Sequence, residues 1–522
     1  MKIITKLKVL NYKRFKKLKI EFNEDLNIIV GDNESGKSSI LQAIDIVISG
    51  SRTKVDNVGL ESLFNACAID DFMSSEKKYK DLPELNIELY LNEQKNCYLN
   101  GQNNSDGVVS DGLSLICKPN DEFSEEITEI LNQNYSCFPF EYYSVCFQTF
   151  SGQRYTGYRR FLKKILIDNS AINNEYAARE YIKDVYAKHV VPKERAKYAN
   201  EYRRSKASYV KKTFGIVNGK LGDYSFDLKT DTKSNLNNDL SIKEGDISIV
   251  NMGQGKQCFI KAEFALANST QENDVDTLLI EEPENHLSHI NMHKLIDRIH
   301  ETHSKQMFIT THSNMISTRL DLRKAIMLNS NEETSLKLKD IPESTAKFFM
   351  KSPNNTVLEY ILSKKVILVE GDAEFILIED LFKTVTSKEL HELDVYVISV
   401  GGTSFKRYLD IGKQLGIKTA VIRDNDKDYQ KNCIDSYDKY SEEFINVFSD
   451  INNENYTFEV NIYGVNKSMC DELFAPSRKS LTVQEYMLKN KAEVAFELLD
   501  KKAGKIVPPK YIKDAIAWIT ED

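Results

Sequence analysis

The sequence has no long hydrophobic run. Nothing in it approaches the about 18 consecutive apolar residues that a membrane-spanning helix needs. The start, MKIITKLKVLNYKRFKKLKI, alternates apolar and basic residues and lacks the apolar centre of a secretion signal. Cysteine is sparse and unpaired in pattern. The eight, at 67, 97, 117, 137, 146, 258, 433 and 470, form no C-x-x-C pair, which excludes the usual structural zinc spacing. They read as free thiols in a reducing cytosol, so a cytoplasmic protein with no membrane partner is expected. No internal repeat and no low-complexity tract is visible. An excess of positive charge is also missing: 70 Lys and Arg against 78 Asp and Glu leave −8. Overall composition therefore gives no sign of nucleic-acid binding.

Charge is local instead. Between Arg154 and Lys212 lie Tyr158-Arg159-Arg160, Lys163-Lys164, Lys193, Arg195, Arg203-Arg204 and Lys211-Lys212, with tyrosines at 155, 198, 202 and 209 between them. Such a stretch can follow a phosphate backbone. It can equally be a solvated helical face or a dimerisation arm. With 522 residues, two to four domains are expected, each able to bury its own core.

The pattern is α/β. Residues 1–30 read as two strands ending in Leu26–Val30. A helix from Ser38 places Ile40, Leu41, Ile44 and Ile48 on one face. Asn100–Gly112 reads as a loop, Phe140–Phe150 as strand, and 158–212 as mostly helical with a break near Pro192. Residues 213–245, with Gly215, Gly219 and Gly222, read as turns. Strands are expected at Ser248–Val250, Thr277–Ile280 and Met307–Thr310, and a linker over 330–345. A second α/β region follows, with strands at Lys365–Val369, Val395–Val400 and Thr419–Ile422.

Gly31-Asp32-Asn33-Glu34-Ser35-Gly36-Lys37-Ser38 fits the phosphate-loop pattern G-x-x-x-x-G-K-S. Its glycines allow a tight loop whose N–H groups point at phosphate oxygens, with a helix N-terminus behind them. Asn33, Gly36, Lys37, Ser38 and Ser39 are the expected ATP contacts, with Lys37 on the β and γ phosphates and Ser38 on Mg²⁺. The strand Thr277–Ile280 ends in Glu281-Glu282-Pro283-Glu284. Glu281 suits the metal shell, and Glu282 suits orienting or deprotonating the attacking water. Asn251-Met252-Gly253-Gln254-Gly255 opens a further helix, and His312 follows the strand Met307–Thr310. This order resembles the ABC-type ATPases of recombination and repair. The resemblance implies that Gly253 and Gly255 act on the nucleotide of a second subunit, hence a homo-oligomer. It also implies a switch role for His312 and a Q-loop role for Gln148.

A second constellation follows the strand Lys365–Val369. Glu370 stands at its end and Glu374 four residues on, a spacing that can aim both carboxylates at one point. Asp424-Asn425-Asp426 ends the strand Thr419–Ile422. Four carboxylates at neighbouring strand ends repel unless cations lie between them, and hard oxygen donors suit Mg²⁺ or Mn²⁺. The order E-G-x-x-E then D-x-D resembles a Toprim domain. Joined to an ABC-type ATPase, it resembles the OLD-family nucleases, which include the nuclease subunit of the Gabija phage-defence system.

The resemblance implies an ABC-type ATPase domain over 1–345, with a helical insertion near 155–245 as a dimerisation or DNA-contact arm. It implies a Toprim, Rossmann-like domain over 346–522 with a C-terminal helical extension. Glu370, Glu374, Asp424 and Asp426 are the implied metal ligands, Glu370 counting also as catalytic. Asp471 or Glu472, in Cys470-Asp471-Glu472-Leu473-Phe474, is the implied further carboxylate, because Cys470 falls where the family has Glu. Lys491 would stabilise charge building on the phosphate. The implied activity is ATP-regulated, metal-dependent DNA cleavage in phage defence, with a helicase-like or other partner. The alternative is an ATP-driven DNA-binding regulator whose Toprim site is degenerate. A topoisomerase or primase fits less well, for want of a DNA-gate domain or zinc-binding cysteines.

Overall fold

The computed structural model describes residues 3–132, 137–157, 161–168, 182–183, 185–187, 189–219, 226–228, 235–266, 276–285, 287–302, 305–328, 336–352, 356–402, 404–475 and 481–521. Tyr158-Arg159-Arg160, Gly222 and residues 330–335 of the expected linker lie outside them, as does much of the insertion. The chain forms two units. The first comprises residues 1–316 and 324–337, and the second 317–323 and 338–522. The division falls earlier than the expected 345/346. The helix Glu343–Lys351 packs within the second unit, where Thr345 Oγ1 donates to Asp410 Oδ2 at 2.5 Å.

The first unit pairs two sheets. One is antiparallel, in the order Phe15–Glu21, Ile4–Tyr12, Leu85–Leu91, Ser110–Pro119, with Asn100–Gly101 and Tyr143–Thr149 both pairing to Ser110–Pro119. The other runs Leu336–Lys337, Ala325–Met327, Leu26–Val30, Gln306–Thr310, Thr277–Glu281, Lys164–Asp168 and is parallel except at its first pair. The helix Lys37–Ser49 touches strands of both sheets. Contact on both sides explains why Ala43, Ile46 and Val47 are buried beside Ile40, Leu41, Ile44 and Ile48: an apolar helix buried all round, not a one-faced one.

Several local expectations change. Lys164–Asp168 lies within the stretch read as helical, yet it is an edge strand of the parallel sheet. Its short apolar run Ile165-Leu166-Ile167 carries too few residues for periodicity to separate helix from strand. The break expected near Pro192 falls at Val190-Val191, and Pro192 opens the helix Pro192–Asn218, where its fixed φ and missing N–H suit the first turn. That helix runs through Gly215 and buries no residue. Of the basic, aromatic stretch, it is the solvated part, whereas Tyr155 and Lys164 are interior. Ser110 already belongs to a strand, and the strand expected at Ser248–Val250 reduces to Ile247–Ser248 and a single 3₁₀ turn.

The second unit is built on a four-stranded parallel sheet in the order Val395–Ser399, Lys365–Val369, Lys418–Ile422, Ile445–Phe448. Helices Asp372–Thr386, Lys491–Lys502 and Lys510–Thr520 share one core, through Leu377, Leu381, Leu498, Ile512 and Ile516. The two central strands are neighbours, with Leu368 opposite Val421. The turns that follow them therefore open side by side at the carboxyl edge, the place where an open parallel sheet presents its chemistry.

Candidate functional site

In the first unit the loop after Val30 passes through Gly36 at φ 94°, where a Cβ would stand 2.4 Å from the Phe15 ring. Only glycine fits that turn. Lys37 is buried, and its Nζ donates to the carbonyls of Gly31 and Asp32, each at 2.9 Å. Burial lowers the ammonium's pKa, against the raising effect of Glu282, Asp32 and Glu284. Asn33 and Ser38 are exposed, and Ser39 is half-buried at the helix start.

The parallel register brings the acidic strand end alongside. Glu281 lies opposite Thr310 on one side and opposite Asp168 on the other. Glu282, at φ 42°, sits with Oε1 3.4 Å from His312 Nε2, and its Oε2 accepts from Asn285 Nδ2 at 2.7 Å. Glu284 is the residue sequence reasoning passed over here. Its Oε1 accepts from Thr311 Oγ1 at 2.8 Å and from the His312 N–H at 2.6 Å, tying the acidic strand to the histidine loop. Burial raises its pKa, and its Oε2 is buried without a hydrogen bond. Lys13, in the hairpin turn before Phe15, is a second omission. Burial lowers its pKa while the charge of Glu281 raises it, which places the ammonium within reach of that carboxylate.

One expectation is not met by the placement. Gln148 pairs with Ser114 in the antiparallel sheet and lines a cavity with Ile48, Ser49 and Gly50. That is the far end of the helix from the phosphate loop, about 20 Å along it at about 1.5 Å per residue. The strand end beside Glu281 belongs to Asp168, so that segment, and not Gln148, borders the nucleotide side. Gly253 is exposed and Gly255 half-buried at the start of the helix Gln254–Leu266. Among the described residues, no hydrogen bond joins either to the phosphate loop of the same chain.

In the second unit, Glu370 ends the strand Lys365–Val369 and Glu374 lies in the first turn of Asp372–Thr386, with Asp424 two residues past Ile422. Burial raises all three pKa values, and mutual repulsion adds to it. Glu374 is pushed up to about 7 and Asp424 to about 8. Glu370 is raised as well, and its Oε2 is buried without a hydrogen bond.

A fourth carboxylate joins them. Glu459, in the first turn of the helix Phe458–Val465 capped by Thr457, is 3% exposed and acts on both Glu374 and Asp424. Lys491 Nζ lies 3.1 Å from Glu459 Oε2, and Glu459 Oε1 is buried without a hydrogen bond. Burial pulls the Lys491 pKa down, but Glu459, Asp424 and Glu374 together raise it above its ordinary range. Lys489, the nearby alternative, is exposed.

The expected ligands Asp471 and Glu472 stand elsewhere. Asp471 Oδ1 accepts from Tyr463 Oη at 3.1 Å, and Glu472 is exposed and paired with Lys502 at 3.0 Å. Cys470 is fully buried in the apolar core, so it neither supplies nor spoils a ligand. Asp426 is the other correction. The strand's alternation ends before it, and it adopts φ 48°, with its carboxylate 3.1 Å from Arg423 Nη2 and half exposed. It stands at the rim, close enough to raise the Glu370 pKa.

Among the described residues, no three such side chains converge to metal-binding distance. The donor set nevertheless fits a hard divalent cation: oxygen-only, buried, mutually repelling, with unsatisfied oxygens on Glu370 and Glu459. Glu459→Gln is therefore expected to weaken Mn²⁺ binding by about tenfold or more. The double variant Asp471→Asn/Glu472→Gln should bind as wild type does. Calorimetric titration in the absence of nucleotide compares them, and the reverse ranking would return the ligand role to the later pair.

Known proteins share both regions. Residues 1–138 match the model of the AAA ATPase domain, and residues 361–426 match that of the Overcoming lysogenization defect protein-like, TOPRIM domain. The chain is 29% identical to Endonuclease GajA of Bacillus cereus (strain VD045) over 165 residues, covering 31% of this chain and 28% of that protein. It is 26% identical to the Old nuclease of Escherichia phage P2 over 179 residues, covering 32% and 30%. The matched stretches thus span less than a third of either relative. Among solved structures, the C-terminal region of the Xanthomonas campestris pv. campestris OLD protein aligns at 24% identity and a TM-score of 0.25, over 30% of this chain and 92% of that one.

Proposed function

We propose that this chain, an AAA ATPase domain joined to an OLD-like TOPRIM domain, is an ATP-regulated, metal-dependent DNA endonuclease that serves anti-phage defence. The observation that carries the reading is the cluster of buried Glu374, Asp424 and Glu459 with half-buried Glu370, faced by Lys491 at the carboxyl edge of the second sheet. Acids buried together at the cost of raised pKa values are a feature of sites that hold cations or move protons. Two relatives are an endonuclease and a nuclease by name, which supports DNA as substrate.

Glu370, Glu374, Asp424 and Glu459 would hold Mg²⁺ or Mn²⁺, with Asp426 joining on release from Arg423. The metal, when bound, supplies an activated water and neutralises charge on the phosphate. Lys491 sits where its ammonium can meet the negative charge that develops on the scissile phosphate. Arg423 fixes the Asp424–Asp426 turn through its bond to the Asp424 carbonyl at 2.9 Å.

In the first unit, Lys37, Ser38, Ser39 and the loop's N–H groups would hold ATP, with Glu281 on its Mg²⁺ and Glu282 and His312 at the attacking water. Gly253 and Gly255, exposed or half-buried at a helix start, suit a nucleotide carried by a second copy, so a homo-oligomer is part of the proposal. A helicase-like partner protein belongs to it as well.

Incubating supercoiled plasmid with the full chain in Mg²⁺ or Mn²⁺, with and without ATP, tests this. Wild type should nick or linearise the DNA and Glu370→Ala should not. Lys37→Ala should lose ATP binding and with it any effect of ATP on cleavage. Intact plasmid under every condition would contradict the nuclease reading.

A further inference from the structure

The turn after the strand Thr277–Glu281 contains a carboxylate that no step of the proposed chemistry uses. Glu284 Oε1 accepts two hydrogen bonds from one neighbouring loop, from the Thr311 hydroxyl at 2.8 Å and from the His312 N–H at 2.6 Å. The Ser313 N–H donates in turn to Thr311 Oγ1 at 2.9 Å, and the Thr311 N–H to the Ile29 carbonyl at 3.2 Å. Every N–H from Thr311 to Ser313, just past the strand Gln306–Thr310, is thus held. Two of these bonds end on Glu284, directly or through the Thr311 hydroxyl. Thr311 is fully buried, so loss of the acceptor would leave its hydroxyl with neither partner nor water.

The turn that this clamp holds is strained. Glu282 stands at φ 42°, a left-handed conformation that persists in a non-glycine residue only where the surroundings over-determine it. On one side of it, the Glu282 N–H donates to the Thr310 carbonyl at 3.0 Å. On the other, Glu284 is fixed to Thr311 and His312, with Pro283 buried between them. The acidic turn is therefore pinned at both ends to the same neighbouring strand end. In that arrangement His312 Nε2 lies 3.4 Å from Glu282 Oε1.

A role for Glu284 through its charge alone fits less well. The charge does act on Lys37, but after those of Glu282 and Asp32. Its Oε2 is buried without a hydrogen bond, so the contacts rest on one oxygen, and an amide carbonyl could carry them equally.

We propose that Glu284 is a positioning residue for ATP hydrolysis: it clamps the His312 loop to the acidic turn and so keeps Glu282 aimed at the attacking water. The proposal rests on the reading of the first unit as an ATPase with Glu282 at that water.

The test uses the full chain. Glu284→Ala should hydrolyse ATP on the order of tenfold or more slowly in single turnover, with ATP binding within about twofold of wild type. Glu284→Gln keeps a carbonyl acceptor and should hydrolyse at close to the wild-type rate. Thr311→Val, which removes one donor at nearly constant shape, should slow hydrolysis in the same direction and serves if the alanine variant unfolds. In Glu282→Gln/Glu284→Ala the losses should not multiply, because the clamp acts only through Glu282. Hydrogen–deuterium exchange without nucleotide gives a readout independent of turnover. The amides of Thr311, His312 and Ser313 should exchange at least about tenfold faster in Glu284→Ala than in wild type or Glu284→Gln.

Weaker ATP binding with hydrolysis unchanged in Glu284→Ala would make the residue a charge partner of Lys37 and overturn the proposal. So would a glutamine variant as slow as the alanine one, losses that multiply in the double variant, or loop exchange that ignores the substitution. Loop exchange that follows Glu284, in a protein that never hydrolyses ATP, upholds the clamp and sinks the ATPase reading instead.

Discussion

Asp424→Asn should abolish DNA nicking and, in EDTA at pH 8, raise the midpoint of unfolding of the second unit. The two effects have one origin. Burial, followed by Glu374, Glu370 and Glu459, pushes the Asp424 carboxyl from 3.8 up to about 8, and Glu374 follows to about 7. Between roughly pH 4 and 8 the folded protein therefore binds more protons than the unfolded chain, and stability falls as pH rises through that window. The shifts correspond to a loss on the order of several kcal/mol above pH 8. A neutral amide of the same shape removes the repulsion. A divalent cation does so too, which is why its affinity should rise with pH through 7–8 as it displaces protons.

Wild type in EDTA should accordingly unfold more easily at pH 9 than at pH 6, and the variant should show a flatter profile. Mg²⁺ should stabilise wild type and have little effect on Asp424→Asn, whose nicking should fall on the order of 10²-fold or more. An amide variant less stable than wild type at pH 8 without metal would mean that Asp424 is a structural acid with an attractive partner.

The second large effect belongs to the other unit. Glu282→Gln should keep ATP binding and lose hydrolysis on the order of 10²- to 10³-fold. Glu282 is held on both oxygens, by His312 at 3.4 Å and Asn285 at 2.7 Å, on a residue in a left-handed conformation that non-glycine side chains seldom adopt. Glutamine can take the same position but cannot accept a proton from water. Single-turnover hydrolysis and equilibrium nucleotide binding separate the two quantities. Hydrolysis at the wild-type rate would remove Glu282 from the water's path and leave Glu284 or Asp168 to be tried. Plasmid nicking by Glu282→Gln with and without ATP then reads whether the bound nucleotide opens or closes the second site.

The parts legible in the sequence are those set by short-range spacing. Gly31–Ser38 fixes a loop between one strand and one helix, and Glu370 with Glu374 fixes a strand end and the following helical turn, so few other arrangements satisfy either. Asp424 was legible for the same reason, as the acid after an apolar strand. What stayed hidden depends on docking between distant segments. Lys164–Asp168 is a short apolar run among charged residues, and it becomes a strand because Thr277–Glu281, over a hundred residues later, pairs with it. Glu459 is a lone carboxylate in Thr457-Phe458-Glu459-Val460 with no spacing to mark it. Asp471-Glu472 presents the stronger local signal, yet those side chains leave the cluster for Tyr463 and Lys502. Asp426 was read as sharing a strand end with Asp424, but its backbone enters the left-handed region and its carboxylate pairs with Arg423 at the rim. Gln148 stands at a strand end, but in the antiparallel sheet, a distinction that apolar patterning alone does not carry.

Titration of Mn²⁺ into the full chain at pH 8 without nucleotide, followed by the loss of the free-ion electron paramagnetic resonance signal, bears on the central claim most directly. A metal site on these carboxylates predicts about one or two bound ions in wild type, with at least tenfold weaker binding in both Asp424→Asn and Glu459→Gln. Wild-type affinity in both variants would contradict it.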